Sequence, residues 1–184
     1  MRKMMVMLLA MLMGIGISGA VYALPYGDAD IVKAGNEYSD ISKLGDSLVS
    51  GGNEWYVEGD SIWTAWSGQW VEYTADLETA GTWKIGLNAI NHGNLGDSGN
   101  WYTEFRLSNS LTNETIQVPA SDDEEFFGFV QMDLNPGIYT VRYTWLNDKY
   151  APPLDANIEI TSVFFDDINT PVPEPATLLL LGAG

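Results

Sequence analysis

Residues 67–91, SGQWVEYTADLETAGTWKIGLNAIN, place the strongest constraint on what this chain can fold into. In the first half Trp70, Glu72 and Thr74 fall on one face and Val71, Tyr73 and Ala75 on the other, because side chains alternate along a pleated strand. In the second half Trp83, Ile85, Leu87 and Ala89 alternate with Thr82, Lys84, Gly86 and Asn88, the pattern of a strand with one buried face. Between them Glu78-Thr79-Ala80-Gly81 supplies a glycine able to take the positive φ of a tight connection. The stretch predicts an antiparallel β-hairpin.

The same period recurs along the chain. It predicts an opening strand at 30–34, a wrapping surface loop to residue 53, and short strands at 54–58 and 61–66 joined by Gly59-Asp60. Residues 92–100 are Gly-rich and almost without apolar side chains, which makes them a loop. Strands follow at 101–108, 115–118, 130–134 and 139–145, with an acidic loop at 121–125. Asn135-Pro136-Gly137 predicts a type II turn. In the last strand Ile158 and Ile160 share one parity and Val163 and Phe165 the other, which predicts a bulge near Thr161-Ser162. No segment keeps a 3.6-residue stripe over three turns. About eight or nine short strands at this spacing predict an all-β domain, a jelly-roll β-sandwich over residues 24–168.

A chain of 184 residues with 46% hydrophobic content suits one well-buried core. Its formal net charge is -17, from 8 Lys and Arg against 25 Asp and Glu, and loss of Arg2 and Lys3 with a leader would take it two lower, to -19. Such a surface repels phosphate backbones and anionic headgroups, so nucleic acid and a peripheral membrane site are disfavoured as partners. Neutral glycans and cations such as Ca²⁺ are compatible, and plain solubility explains the acidity equally well. With no cysteine the chain has no disulfide, thiol nucleophile or thiolate metal site.

The two ends differ in kind from the middle. Residues 1–23 have a basic start at Arg2-Lys3, an apolar run, and small residues before Ala20 and Ala23, which predicts a secretory signal peptide cleaved after one of them. At 169–184, Pro171-Val172-Pro173-Glu174-Pro175 forms an extended linker before an apolar run. Pro173-Glu174-Pro175 followed by Leu178, Leu179, Leu180 and Leu181 resembles the PEP-CTERM sorting signal, in which this motif precedes a transmembrane helix and a basic cluster. The nine residues after Pro175 are fewer than the roughly 20 that span a bilayer, so the expectation is either a C-terminus cut short or a signal that does not function. The resemblance implies an exosortase-type membrane protease as a partner, membrane contact only through the C-terminal segment, and a place at the cell surface or extracellular matrix of a Gram-negative bacterium.

A second resemblance rests on GQWVEY at 68–73, AGTWKI at 80–85, LNPGIYTV at 134–141 and NIEI at 157–160. Together these are similar to the carbohydrate-binding modules of the family-six type, galactose-binding-like β-sandwiches. The resemblance implies a glycan cleft between two rings from loops at one end of the sandwich, since a pyranose offers an apolar C–H face to a ring and hydroxyls to amides. By position Trp55 or Tyr56 is one wall, Phe126 or Phe127 the other, and Asn157 the polar contact; Trp63, Trp66 and Tyr150 are alternative platforms. A structural Ca²⁺ is also implied, with Asp28, Asp30, Glu37, Asp166 and Asp167 as its carboxylates.

Catalytic signals are sparse. His92 is the only histidine, and it lies in a Gly-rich loop, against a Ser-His-Asp site. The sequence therefore favours an exported, non-catalytic protein that holds extracellular polysaccharide. The rival expectation is a structural or adhesive matrix protein with no sugar affinity, followed by a small glycosidase using paired carboxylates.

Overall fold

Burial follows the alternation along the first central strand and the first half of the second, whose residues 85–89 are all buried. In β5 (Trp70–Leu77) Val71, Tyr73, Ala75 and Leu77 are buried while Trp70, Glu72 and Thr74 are half-exposed. In β6 (Gly81–His92) Trp83, Ile85, Leu87 and Ala89 are buried. The structure is a computed structural model and describes residues 29–45, 53–93, 102–119, 125–148 and 150–169. The expected leader, Asp28, the Pro173-Glu174-Pro175 motif and most of the 92–100 and 121–125 loops lie outside the described residues.

Two antiparallel sheets enclose one core. The first runs β3 (Tyr56–Glu58), β4 (Ser61–Thr64), β13 (Asn157–Asp167), β6 and β9 (Glu125–Leu134), and β1 (Ile31–Ala34) also pairs with β13. The second runs β2 (Asp40–Ile41), β5, β10 (Gly137–Trp145), β7 (Tyr102–Ser108) and β8 (Asn113–Pro119). A two-stranded ribbon of β11 (Tyr150–Ala151) and β12 (Leu154–Asp155) stands apart. Among the described residues there is no helix. The inner faces meet in a cluster that includes Tyr73, Leu77, Ile85, Leu87, Phe105, Tyr143, Trp145, Ile158 and Phe165. The chain is thus an all-β, jelly-roll sandwich, held by apolar area removed from water.

The central stretch is not a hairpin. β5 pairs with β2 and β10, whereas β6 pairs with β13 and β9, so residues 78–80 carry the chain from one sheet to the other. Each strand has one strongly apolar face, and crossing between layers turns both faces into the shared interior. Among the described residues the positive-φ glycines are Gly59, Gly68, Gly93 and Gly137, and Gly81 is not one of them. Its missing side chain serves close approach instead: a Cβ there would lie 2.5 Å from Asp167 Oδ1. The turn at 135–137 also passes between sheets, from β9 to β10, and Gly137 has φ +155 rather than the roughly +80 of a type II turn.

The bulge in the last strand is present. The register of β13 against β6 shifts between Ile160 and Ser162. On the other side of β13, β4 pairs with Ile158–Ile160 and β1 with residues 162–165, so two short strands share one edge on either side of the bulge.

Candidate functional site

The outward face of β3, β4, β13 and β6 builds a groove. Tyr56 is opposite Trp63, Trp63 is opposite Glu159, and Glu159 is opposite Ile90. Directly opposed residues point to the same side of a sheet, so this row faces outward while Ile62, Ile158 and Ile160 face the core. Two residues beyond Tyr56, Glu58 is opposite Ser61; two residues beyond Ile90, His92 is opposite Asn157. The result is an open groove of about 520 Å³ lined by Glu58, Ser61, Trp63, His92 and Glu159.

Hydrogen bonds fix the groove's floor. His92 Nε2 lies 2.5 Å from Glu159 Oε2, and the other carboxylate oxygen faces the Ser61 hydroxyl. That hydroxyl is also 2.9 Å from the Glu58 carbonyl oxygen, and with a single proton it donates to one of the two acceptors at a time. The carboxylate stands between hydroxyl and imidazole and only accepts, from the imidazole and, when the hydroxyl turns from the Glu58 carbonyl, from Ser61. Activation of a serine needs the reverse, an imidazole that accepts the hydroxyl proton. Trp63 is half-buried, with Tyr56 and His92 each at a ring-centroid distance of 6.4 Å and tilted by 59° and 60° rather than stacked on it. The arrangement offers an indole beside a carboxylate of fixed orientation.

The residues expected to hold a sugar are dispersed. Trp55 is fully buried and Phe126 is 8% exposed; both belong to the core, so the walls assigned to them are corrected to core positions. Their strands are short or begin at a sheet end, where parity alone does not tell which face is inner. Phe127 is likewise buried, against Phe129 and Phe164. Tyr56 is buried beside Trp63. Trp63 lines the groove, and Asn157 is next to it, paired with His92 and donating to Asp155 Oδ2 at 3.4 Å. Trp66 and Tyr150 are exposed, in the β4–β5 connection and the β11–β12 ribbon, away from the groove lining. His92, Glu159, Ser61 and Glu58 were missed as a group. The outward parity of Trp63 and Glu159 is readable in the sequence; the pairing of β4 with β13 that unites them is not.

Of the expected calcium carboxylates Asp28 lies outside the described residues, and the other four are divided between two arrangements. Asp30 Oδ2 accepts from the Asp167 backbone N–H at 2.7 Å, so these two do meet across the chain's length. Glu37 instead accepts from the Ala34 N–H at 2.8 Å, and Asp166 is opposite Lys84 on the outward face, away from the buried Asp167. The reason is the strand geometry: adjacent residues of β13 point to opposite faces. Among the described residues no group of three or more His, Cys, Asp or Glu is placed to hold a metal ion. A second hollow of about 420 Å³, lined by Asp30, Ile31, Asp76, Glu78, Thr79 and Trp83, lies at this opposite end of the sandwich.

The two stacked antiparallel sheets place the chain among two-sheet jelly-roll sandwiches. A family GH115 4-O-methyl-α-glucuronidase with specificity for decorated arabinogalactans superposes with a TM-score of 0.51 at 12% identity, over 77% of this chain and 18% of that one. Other neighbours are a carbohydrate-binding module of Cellvibrio mixtus lichenase 5A in complex with cellotriose (TM-score 0.49, 11% identity, 74% of this chain and 96% of that one). A family 35 module of Cellvibrio japonicus Abf62 is similar to the same degree (TM-score 0.49, 13% identity, 73% and 92%). At 12% identity the likeness to the glucuronidase is one of fold, over 18% of that chain's length. No protein-family model matches the chain, and no curated protein sequence does.

Proposed function

We propose that this chain is a non-catalytic glycan-binding module, exported and held at the cell surface, that retains extracellular polysaccharide in the groove beside Trp63. The observation that carries this reading is the rung across β4 and β13, where the half-exposed indole of Trp63 is opposite Glu159 and the Glu159 carboxylate is held by His92 and Ser61. An indole takes the C–H face of a pyranose, and a carboxylate with its orientation already fixed accepts from sugar hydroxyls at little further entropic cost. The export part of the proposal is supported by the composition of residues 1–23 and by Pro173-Glu174-Pro175.

The test is retention on an array of immobilised polysaccharides. Trp63→Ala should weaken binding by about tenfold or more, the effect of removing a central aromatic contact, and Trp63→Tyr should keep most of it. Far-ultraviolet circular dichroism and the melting temperature verify that the sandwich persists. If Trp63→Ala binds as the parent does, the groove is not the site. Protein recovered from outside the producing cells should begin at Val21 or Leu24 when its N-terminus is sequenced, and one beginning at Met1 would remove the export claim.

A further inference from the structure

The groove has a sign of charge. Among the described residues two carboxylates, Glu58 and Glu159, line it, and no Lys or Arg does. Glu159 is engaged by Ser61 and His92, which leaves its charge balanced in part by donors already committed to it. Glu58 is different: its side chain is exposed on the edge strand β3, beside Ser61 and two residues from Tyr56. Three of the described basic side chains are engaged with other partners. Lys43 pairs with Glu54, Lys84 lies over the Phe129 ring, and Arg142 pairs with Glu72 while stacking on Trp70.

We infer that this groove ranks sugars by charge, holding an amine-bearing pyranose above a neutral one and a neutral one above a uronic acid. The inference rests on the glycan-binding reading above and names its substrate class. With its apolar face on Trp63, a pyranose directs its ring substituents toward Glu58 and Glu159. A protonated amine there gains a charge-assisted hydrogen bond. A uronate brings a third carboxylate to a groove whose single imidazole already faces Glu159, in a protein of net charge -17.

The experiment is calorimetric titration with short, length-matched oligomers of glucosamine, glucose and glucuronic acid, at low and at high ionic strength. The glucosamine oligomer should bind more tightly than the glucose oligomer by about fivefold at low salt, the scale of one exposed ion pair, and the gap should narrow at high salt. Glu58→Gln should remove most of that gap, read as the ratio of the two affinities within the same variant. Glu114→Gln, an equal change of net charge on exposed β8 of the other sheet, should leave the gap in place. The ranking is overturned if the glucuronic acid oligomer binds as tightly as the glucosamine oligomer, or if Glu58→Gln and Glu114→Gln act alike, which would assign the preference to bulk charge. In both of those cases binding still depends on Trp63 and the glycan-binding reading survives. If no oligomer binds, or if Trp63→Ala leaves every affinity unchanged, that reading falls and the ranking falls with it.

Discussion

Two tyrosines at the centre of the interior set how this protein responds to alkali. Tyr73 and Tyr143 are fully buried, pack edge to face with ring centroids 6.2 Å apart, and donate to the carbonyl oxygens of Gly35 at 2.7 Å and Gly86 at 3.0 Å. Burial raises the ionisation of both phenols far above the ordinary value, with Tyr38 adding to the effect at Tyr73 and Tyr73 at Tyr143. A group whose folded value is raised contributes stability that is complete below the unfolded value, here about 10, and that is lost as pH climbs above it. Each buried phenol therefore removes about 1.4 kcal/mol per pH unit above pH ~10. Tyr143→Phe lacks one of these phenols. At pH 9 it should be less stable than the parent by about 1 kcal/mol, the worth of its hydrogen bond to Gly86. By pH 11 the parent should have lost about 1.4 kcal/mol more than the variant, enough to close the difference. Urea unfolding of both proteins at the two pH values checks this, and a difference that stays constant would mean that Tyr143 ionises without unfolding.

Single elements depend on contacts that no local pattern announces, and Gly35 is the sharpest instance. It sits where β1 leaves the edge of β13 and β4 takes over, donating its N–H to Thr161 O at 2.9 Å beside the bulge. A Cβ at Gly35 would lie 2.1 Å from Ile160 O and 3.0 Å from Ile62 N, both of them backbone atoms. Backbone in two paired strands yields poorly, so Gly35→Ala should cost about 2 kcal/mol or more. Gly59→Ala meets nothing within 4 Å and carries only the conformational cost of φ +59, about 1 kcal/mol. The urea midpoint should fall further for Gly35→Ala at unchanged slope, and equal losses would refute the steric account. The bulge itself was legible, because the parity of Ile158 and Ile160 differs from that of Val163 and Phe165. The faces of β5 and β6 were legible for the same reason. Their partners were not: alternation states which side of a strand is buried, while pairing is chosen among strands far apart in sequence. That is why β5 joins β10 instead of β6. It is also why Trp63 could be read as a platform while Glu159, nearly a hundred residues on, could not be read as its neighbour.

For the molecule as a whole, the balance of charge decides how salt acts on the fold. Asp and Glu number 25 against 8 Lys and Arg. Favourable pairs such as Lys43 with Glu54 and Arg142 with Glu72 sit at the surface, where each contributes about 1 kcal/mol or less. Repulsions among the excess carboxylates are individually weaker, but they act between many more partners and over longer distances. Distance is what salt screens first, since the Debye length falls to roughly 10 Å at 0.1 M. Added salt should then relieve more repulsion than it removes attraction, and the folded state, being the more compact, should gain. Raising NaCl from about 10 mM to about 200 mM should lift the melting temperature by about 3 °C, the equivalent of ~1 kcal/mol for a chain of this size. A calorimetric scan at fixed pH reads the shift directly, and a fall would show that the paired charges outweigh the unpaired ones. The same screening acts on the Glu58 side of the groove. Salt should therefore steady the sandwich while narrowing the preference for an amine-bearing sugar, and opposite trends in stability and selectivity along one salt series would tie both to a single acidic surface.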